Sequence, residues 1–135
     1  MKLILLFLLI VAAFANIWSD CSKPDDDFKI SNVVITPDPP VKGQPVTADI
    51  QGNLNKTITG GTAHLTISYN GIKLLDETKN ICELTTCPID SNPNADFKYT
   101  ATIPSSIPSG NYTGQIVLTD QDSDEIGCVS FALNL

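Results

Sequence analysis

The residues of this chain best placed to do chemistry are its four cysteines, Cys21, Cys82, Cys87 and Cys128. Cys82 and Cys87 enclose only four residues, and Pro88 follows at once. Thiols this close end up bonded to each other or holding a metal. A structural metal site generally needs four ligands, whereas the chain has one histidine, His64, and two further cysteines far away in sequence. A small disulfide-closed loop is therefore expected at Cys82–Cys87. Of the three connectivities open to four cysteines, that choice leaves Cys21–Cys128 as the second bridge. In chain-entropy terms the long bridge contributes about 4 to 5 kcal/mol and the short one about 2 kcal/mol.

The other titratable groups offer less. Asp120-x-Asp122-x-Asp124 looks like the start of a calcium loop, but Glu125 stands where that loop needs glycine and Phe131 where it needs its final glutamate. A solvated acidic hairpin tip is the expectation, with no metal site. The triple aspartate Asp25 to Asp27 reads as a solvated lead-in to the first strand. His64 lies mid-strand on a polar face and reads as a solvated histidine, not a general base. No nucleophile elbow, metal-ligand cluster or glycine-rich phosphate loop is present, and no acid/base pair can be nominated. Neither an enzyme nor a cofactor is expected.

The cysteines need an oxidising compartment, and the N-terminus supplies the route. Met1-Lys2, an apolar run from Leu3 to Phe14 and the small-x-small site Ala13-Phe14-Ala15 predict a signal peptide over residues 1–15. The run is shorter than the roughly 20 residues a membrane span needs. The mature chain then runs from Asn16 to Leu135, 120 residues, which suits one domain. Without Lys2, seven basic residues face 15 acidic ones, a formal charge of −8. Such acidity argues against nucleic acid as a partner and against strong electrostatic docking on anionic membranes. Asn55-Lys56-Thr57 and Asn111-Tyr112-Thr113 are glycosylation sequons, so Asn55 and Asn111 are expected on the surface.

The elements that position these groups read as strands. Phe28 to Thr36 is rich in Ile and Val, and Pro37-Asp38-Pro39-Pro40 stops it. Val46, Ala48 and Ile50 then alternate with Thr47, Asp49 and Gln51, and Gly52 to Gly60 reads as a loop. Ala63, Leu65, Ile67 and Tyr69 share one face of the next strand. Asn70-Gly71 is a strong hairpin signal, because both central positions of a type I′ turn need positive φ. Ile72 to Lys79 returns and leads into the cysteine loop. After a loop at Asp90 to Asn94, Phe97, Tyr99, Ala101 and Ile103 alternate with polar residues. Tyr112 to Thr119, and Gly127 to Leu135 with Val129, Phe131, Leu133 and Leu135 on one face, complete the pattern. Seven strands and no helical periodicity predict an all-β, antiparallel β-sandwich. Trp18, the only tryptophan, precedes the first of these strands, and neither expected bridge crosses the centre. The signature of an immunoglobulin domain is thus missing. The sheets carry no central covalent tie and are free to splay around a cavity.

Taken together, several segments resemble the ML (lipid-recognition) domain family. They are Cys21, Ile35-Thr-Pro-Asp-Pro-Pro40 with Lys42-Gly43, Tyr69-Asn-Gly-Ile72, Cys82-(four residues)-Cys87-Pro88, Ile107-Pro-Ser-Gly-Asn-Tyr112 and Ile126-Gly-Cys128. The resemblance covers essentially the whole mature chain, residues 16–135, and is nearest to the phosphatidylglycerol/phosphatidylinositol transfer branch. It implies an immunoglobulin-like sandwich of two sheets with an apolar, lipid-holding cavity between them. It implies the same two bridges, Cys21–Cys128 and Cys82–Cys87. The sterol carrier of Niemann–Pick type C disease is a more distant relative with a third disulfide, for which this chain has no cysteines.

The function implied is a secreted or lysosomal, monomeric carrier of phospholipid that touches membranes only transiently. The alternatives are a sterol carrier of the same fold and a secreted recognition module without a cavity. The residues expected to line the slot are Leu65, Ile67, Tyr69, Phe97, Tyr99, Ile116, Leu118 and Phe131. Lys42, Lys73 and Lys98 are the candidates to meet a headgroup phosphate.

Overall fold

Strict alternation is what builds this molecule. In the strand from Asn92 to Thr102 it buries Ala95, Phe97, Tyr99 and Ala101 and exposes Asp96, Lys98, Thr100 and Thr102. The computed structural model describes residues 17–135; the expected signal peptide, Met1–Ala15, lies outside the described residues. The strands are β1 (Trp18–Asp20), β2 (Phe28–Thr36), β3 (Pro45–Leu54), β4 (Thr62–Tyr69), β5 (Ile72–Asn80), β6 (Asn92–Thr102), β7 (Asn111–Thr119) and β8 (Glu125–Asn134). One helical turn, α1 (Ile81–Leu84), sits between β5 and β6. All strand pairs are antiparallel and form a five-stranded sheet, β1-β8-β7-β4-β5, facing a three-stranded sheet, β2-β3-β6. The expected all-β sandwich is the fold.

Several boundaries differ from the sequence reading. Among the described residues there are eight strands, not seven, because Trp18 belongs to a short strand opposite Phe131. That ladder continues into Cys21, whose N–H donates to the Cys128 carbonyl (3.0 Å), and so delivers Cys21 to its disulfide partner. The loop expected from Gly52 begins only after Leu54. A side chain at Gly52 would put its Cβ 2.2 Å from the Lys29 carbonyl oxygen, so glycine lets β2 lie close there. β6 takes in Asn92 to Asn94 of the expected Asp90–Asn94 loop. The Cys82–Cys87 loop contains a helical turn, capped where Asn80 accepts from the Cys82 N–H (2.9 Å). Asp26 is not solvated but buried, with its carboxylate accepting the Lys23 N–H (3.0 Å).

The two ends of the sandwich are unlike. At one end lie α1, both arms of the Cys82–Cys87 bridge and the β3–β4 and β7–β8 connections. At the other lie the proline-rich β2–β3 loop, the β4–β5 hairpin, the β6–β7 loop and Leu135. The hairpin turn has Asn70 at φ 50° and Gly71 at φ 78°, the positive values its type requires.

Candidate functional site

Between the sheets, in the half nearer the hairpin, the side chains leave an apolar cleft of about 40 Å³. It is lined by Ile35, Val46 and Ala48 of β2 and β3, Tyr99 and Ala101 of β6, Leu65 and Ile67 of β4, Gly114 and Ile116 of β7, and Phe131 and Leu133 of β8. A second apolar space of about 30 Å³ shares Ile67 and Ala101 with it and continues past Leu74, Leu75, Ile103, Ile107 and Tyr112. No lining residue of the first cleft is charged, and Tyr99 is the one among them with a polar side-chain group. A site of this chemistry can hold an apolar body and little else. Small-molecule sites typically enclose about 300–1,000 Å³, so occupation requires the sheets to part.

Of the eight residues expected to line a slot, Leu65, Ile67, Tyr99, Ile116 and Phe131 surround the cleft. Tyr69 instead stacks on Tyr112 at the hairpin end, ring centroids 4.9 Å apart. Phe97 packs edge-on against Phe28 (4.9 Å, 74°), and it and Leu118 are fully buried in the closed half. Val46, Ala48, Ala101 and Leu133 share the inward faces that alternation defines and were legible on that ground. Gly114 was not, since its contribution is the room left beside Phe131, whose ring would lie 3.4 Å from an added Cβ.

The cleft reaches its polar boundary where β5 and β6, the open edges of the two sheets, face each other. Leu75, Glu77 and Lys79 form the half-buried face of β5. The Tyr99 hydroxyl donates to Glu77 Oε1 (2.9 Å), and the Lys79 ammonium donates to the Thr100 carbonyl. Lys79 Nζ also lies 4.6 Å from the centroid of the Tyr99 ring and 3.3 Å from Glu77. Burial, and then the Glu77 carboxylate, push the Tyr99 phenol far above its ordinary value, so it stays a donor.

The lysines named from sequence stand elsewhere. Lys42 Nζ donates to the Ile107 carbonyl (3.3 Å) and Ser109 Oγ (2.9 Å) at the hairpin end. Lys73 pairs with Asp76 (3.1 Å), which His64 and then Lys73 hold below the usual carboxylate range. Lys98 is on the outer face of β6, 4.0 Å from Asp96. His64 is partly exposed and bonded through Nε2 to Asp76, remote from the cleft. The acidic tip is also more ordered than expected. The Asp120 carboxylate is buried and accepts from the Asp122 N–H (2.9 Å), the Asp124 N–H (3.1 Å) and Lys56 Nζ (2.6 Å). Burial alone would raise Asp120, but Lys56 and the two amides outweigh it and hold the carboxyl below its ordinary value. The cation among these carboxylates is the Lys56 ammonium, which also reaches Asp122 (3.4 Å).

The sequence model of the ML domain matches residues 15–135. A Dictyostelium discoideum protein provisionally named a phosphatidylglycerol/phosphatidylinositol transfer protein is 39% identical over 142 residues, covering 100% of both chains. The phosphatidylglycerol/phosphatidylinositol transfer protein of Mycosarcoma maydis is 27% identical over 124 residues, covering 86% of this chain and 64% of its own. In three dimensions, a Niemann-Pick type C2 protein from the Japanese carpenter ant superposes with a TM-score of 0.68 at 13% identity, over 87% of this chain and 97% of its own. Chicken MD-1, crystallised in complex with lipid IVa, gives 0.62 at 21% identity over 87% of each chain. These two likenesses concern the fold.

Proposed function

The chain belongs to the ML domain family, and from that premise we propose that it carries a phospholipid between membranes, with the acyl body held between its sheets. The observation that carries this reading is the cleft, uncharged and almost wholly apolar, adjoining the β5–β6 seam, where side-chain contacts and no strand ladder join the two sheet edges. The names of the sequence relatives supply the headgroup class, phosphatidylglycerol or phosphatidylinositol.

The mechanism follows from transfer energetics. Each methylene hidden from water is worth about 0.8 kcal/mol, so a long acyl chain resists crossing water by roughly 10 kcal/mol. An apolar slot removes most of that penalty. Closed around about 40 Å³ when empty, the sheets expose little apolar interior to water; parted, they receive the chain and reseal on it. Ile72, Leu74 and Val41 stand exposed at the hairpin end, and this end meets the bilayer during exchange. Contact is transient because the acidic surface offers no strong attraction to anionic lipid.

We assign residues 1–15 to a signal peptide and 16–135 to the lipid-binding domain, acting as a monomer outside the cell or in a lysosomal or vacuolar lumen. Two disulfides suit that oxidising route, and exposed Asn55 and Asn111 are its glycan acceptors. The test is to incubate delipidated protein with vesicles of phosphatidylglycerol or phosphatidylinositol, then record native mass spectra and fluorescent-lipid transfer. One phospholipid per chain and accelerated transfer are expected. A spectrum of unliganded protein with transfer at the uncatalysed rate would leave the recognition module as the reading.

A further inference from the structure

The seam between β5 and β6 is closed by the wrong kind of residue for a plain sandwich. The face that β5 turns toward the other sheet begins with Leu75 but continues with Glu77 and Lys79. Apolar side chains there would close the edge by burial; instead it is held by two exchangeable polar contacts, Tyr99 to Glu77 and Lys79 to the Thr100 carbonyl. Such contacts open readily, because water or another acceptor can replace the partner lost. Opening at this place uncovers the Tyr99 ring, which is part of the cleft wall.

We propose that Lys79 is the headgroup site: when the seam opens, its ammonium leaves the Thr100 carbonyl and pairs with the phosphate of the entering phospholipid. This rests on the phospholipid-carrier reading above and adds the residue that selects for phosphate. Lysine has three donors, so Glu77, 3.3 Å away, keeps its contact and holds the ammonium at the mouth. The other described lysines are placed differently. Lys56 is tied to Asp120 at the disulfide end, Lys73 to Asp76 and Lys29 to the Pro24 carbonyl, while Lys42 bonds two groups of the β6–β7 loop. Lys98 is on an outer face, and Lys23 lies exposed before β2. Among the described lysines, Lys79 is the one whose ammonium lies over a cleft-lining ring, that of Tyr99.

The experiment compares wild type, Lys79→Met and Lys79→Arg, all delipidated, for uptake from vesicles containing either phosphatidylglycerol or a diacylglycerol with the same acyl chains. Melting curves confirm that each variant is folded. A hydrogen bond to a charged group supports a loss of about tenfold or more. Lys79→Met is therefore expected to lose that much phosphatidylglycerol uptake while keeping its diacylglycerol uptake, and Lys79→Arg to retain both. Excess inorganic phosphate should not compete, because the site exists only with the acyl body seated. Equal losses for both lipids would make Lys79 a structural strap and overturn the proposal, as would no loss for either or competition by inorganic phosphate. Wild type that takes up neither lipid would instead remove the carrier reading itself.

Discussion

At the disulfide end Phe28, Phe97, Leu118, Ile58 and Ile81 are each 0% exposed, whereas at the hairpin end Ile35, Leu65, Phe131 and Leu133 keep 5 to 8%. Ile67 and Val46 beside them are only half-buried. The gradient follows residue size as well as position. The closed half packs aromatic and large aliphatic side chains against one another, as in the edge-on contact of Phe28 and Phe97 on the inner face of the three-stranded sheet. The other half sets Ala48, Ala101 and Gly114 among its large residues and does not fill the space they leave. The Cys82–Cys87 bridge, the buried Asp120 with its Lys56 partner and the buried Asp26 turn all lie at the closed end, whereas the Lys73–Asp76 pair nearer the hairpin is exposed. On the carrier reading proposed above, the fixed end is what lets the other part around a ligand.

The largest effect expected from breaking this contrast comes from the long bridge. Replacing Cys21 and Cys128 together with serine releases a loop spanning 107 positions, and should cost about 4 to 5 kcal/mol in denaturant unfolding. In the closed core, Phe97→Ala removes a fully buried ring and should cost about 3 to 5 kcal/mol. Ile67→Ala, beside space already present, should cost under about 2 kcal/mol. Equal losses at the two sites would erase the difference between the ends. Replacing Cys82 and Cys87 with serine opens a loop of separation 5 and should cost about 2 kcal/mol.

A smaller effect depends on pH. The buried side-chain oxygens without a partner, among the described residues, are Asp49 Oδ1 and Glu125 Oε2. Each belongs to a pair of carboxyls. Burial, then Asp49, push Asp96 up to about 6, and Asp26, then burial, raise Glu125. A group raised in the folded state binds its proton more readily there than when unfolded. Its stabilisation is complete below the unfolded value, 3.8 for Asp96, and is lost as pH rises through about 6. The melting temperature should therefore climb as pH falls from 7 towards 4, and Asp49→Asn should flatten that climb. The depressed Asp120 acts oppositely, but only below 3.8. No carboxylate lines the first cleft, so acid tightens the frame without closing the slot. A melting temperature that falls over this range would refute the assignment of shared protons.

Much of this frame was legible in the chain. Period-2 alternation located β3, β4, β6, β7 and β8, Ile and Val content located β2, and Asn70-Gly71 gave the hairpin with its return strand β5. The short cysteine spacing, a local signal too, gave Cys82–Cys87 and left Cys21–Cys128 by elimination. The unread parts are those set by a distant partner. Three residues cannot display alternation, so β1 is visible only through its pairing with β8. The burial of Asp26 and Asp120 depends on a lysine or backbone donors that composition cannot place. The inward polar face of β5 reads from sequence as ordinary surface, and only the opposing edge of β6 gives Glu77 and Lys79 their partners. For the cleft, alternation finds the inward faces but not which end is loosely filled. It therefore named Phe97 and Leu118, which pack in the closed half, alongside Leu65 and Phe131.

The claim that only the hairpin end can yield to a ligand is tested most directly by adding the same bulk at each end. Leu65→Trp places an indole beside the cleft, and Leu118→Trp places it in close-packed core. Melting temperature and fluorescent phosphatidylglycerol transfer are measured on the same delipidated samples. Leu118→Trp should lose about 1–3 kcal/mol through overpacking. Leu65→Trp should melt close to wild type yet transfer little lipid, its indole occupying the space the acyl chain would take. Equal destabilisation by the two substitutions, beside a wild type that takes up no lipid, would contradict the account.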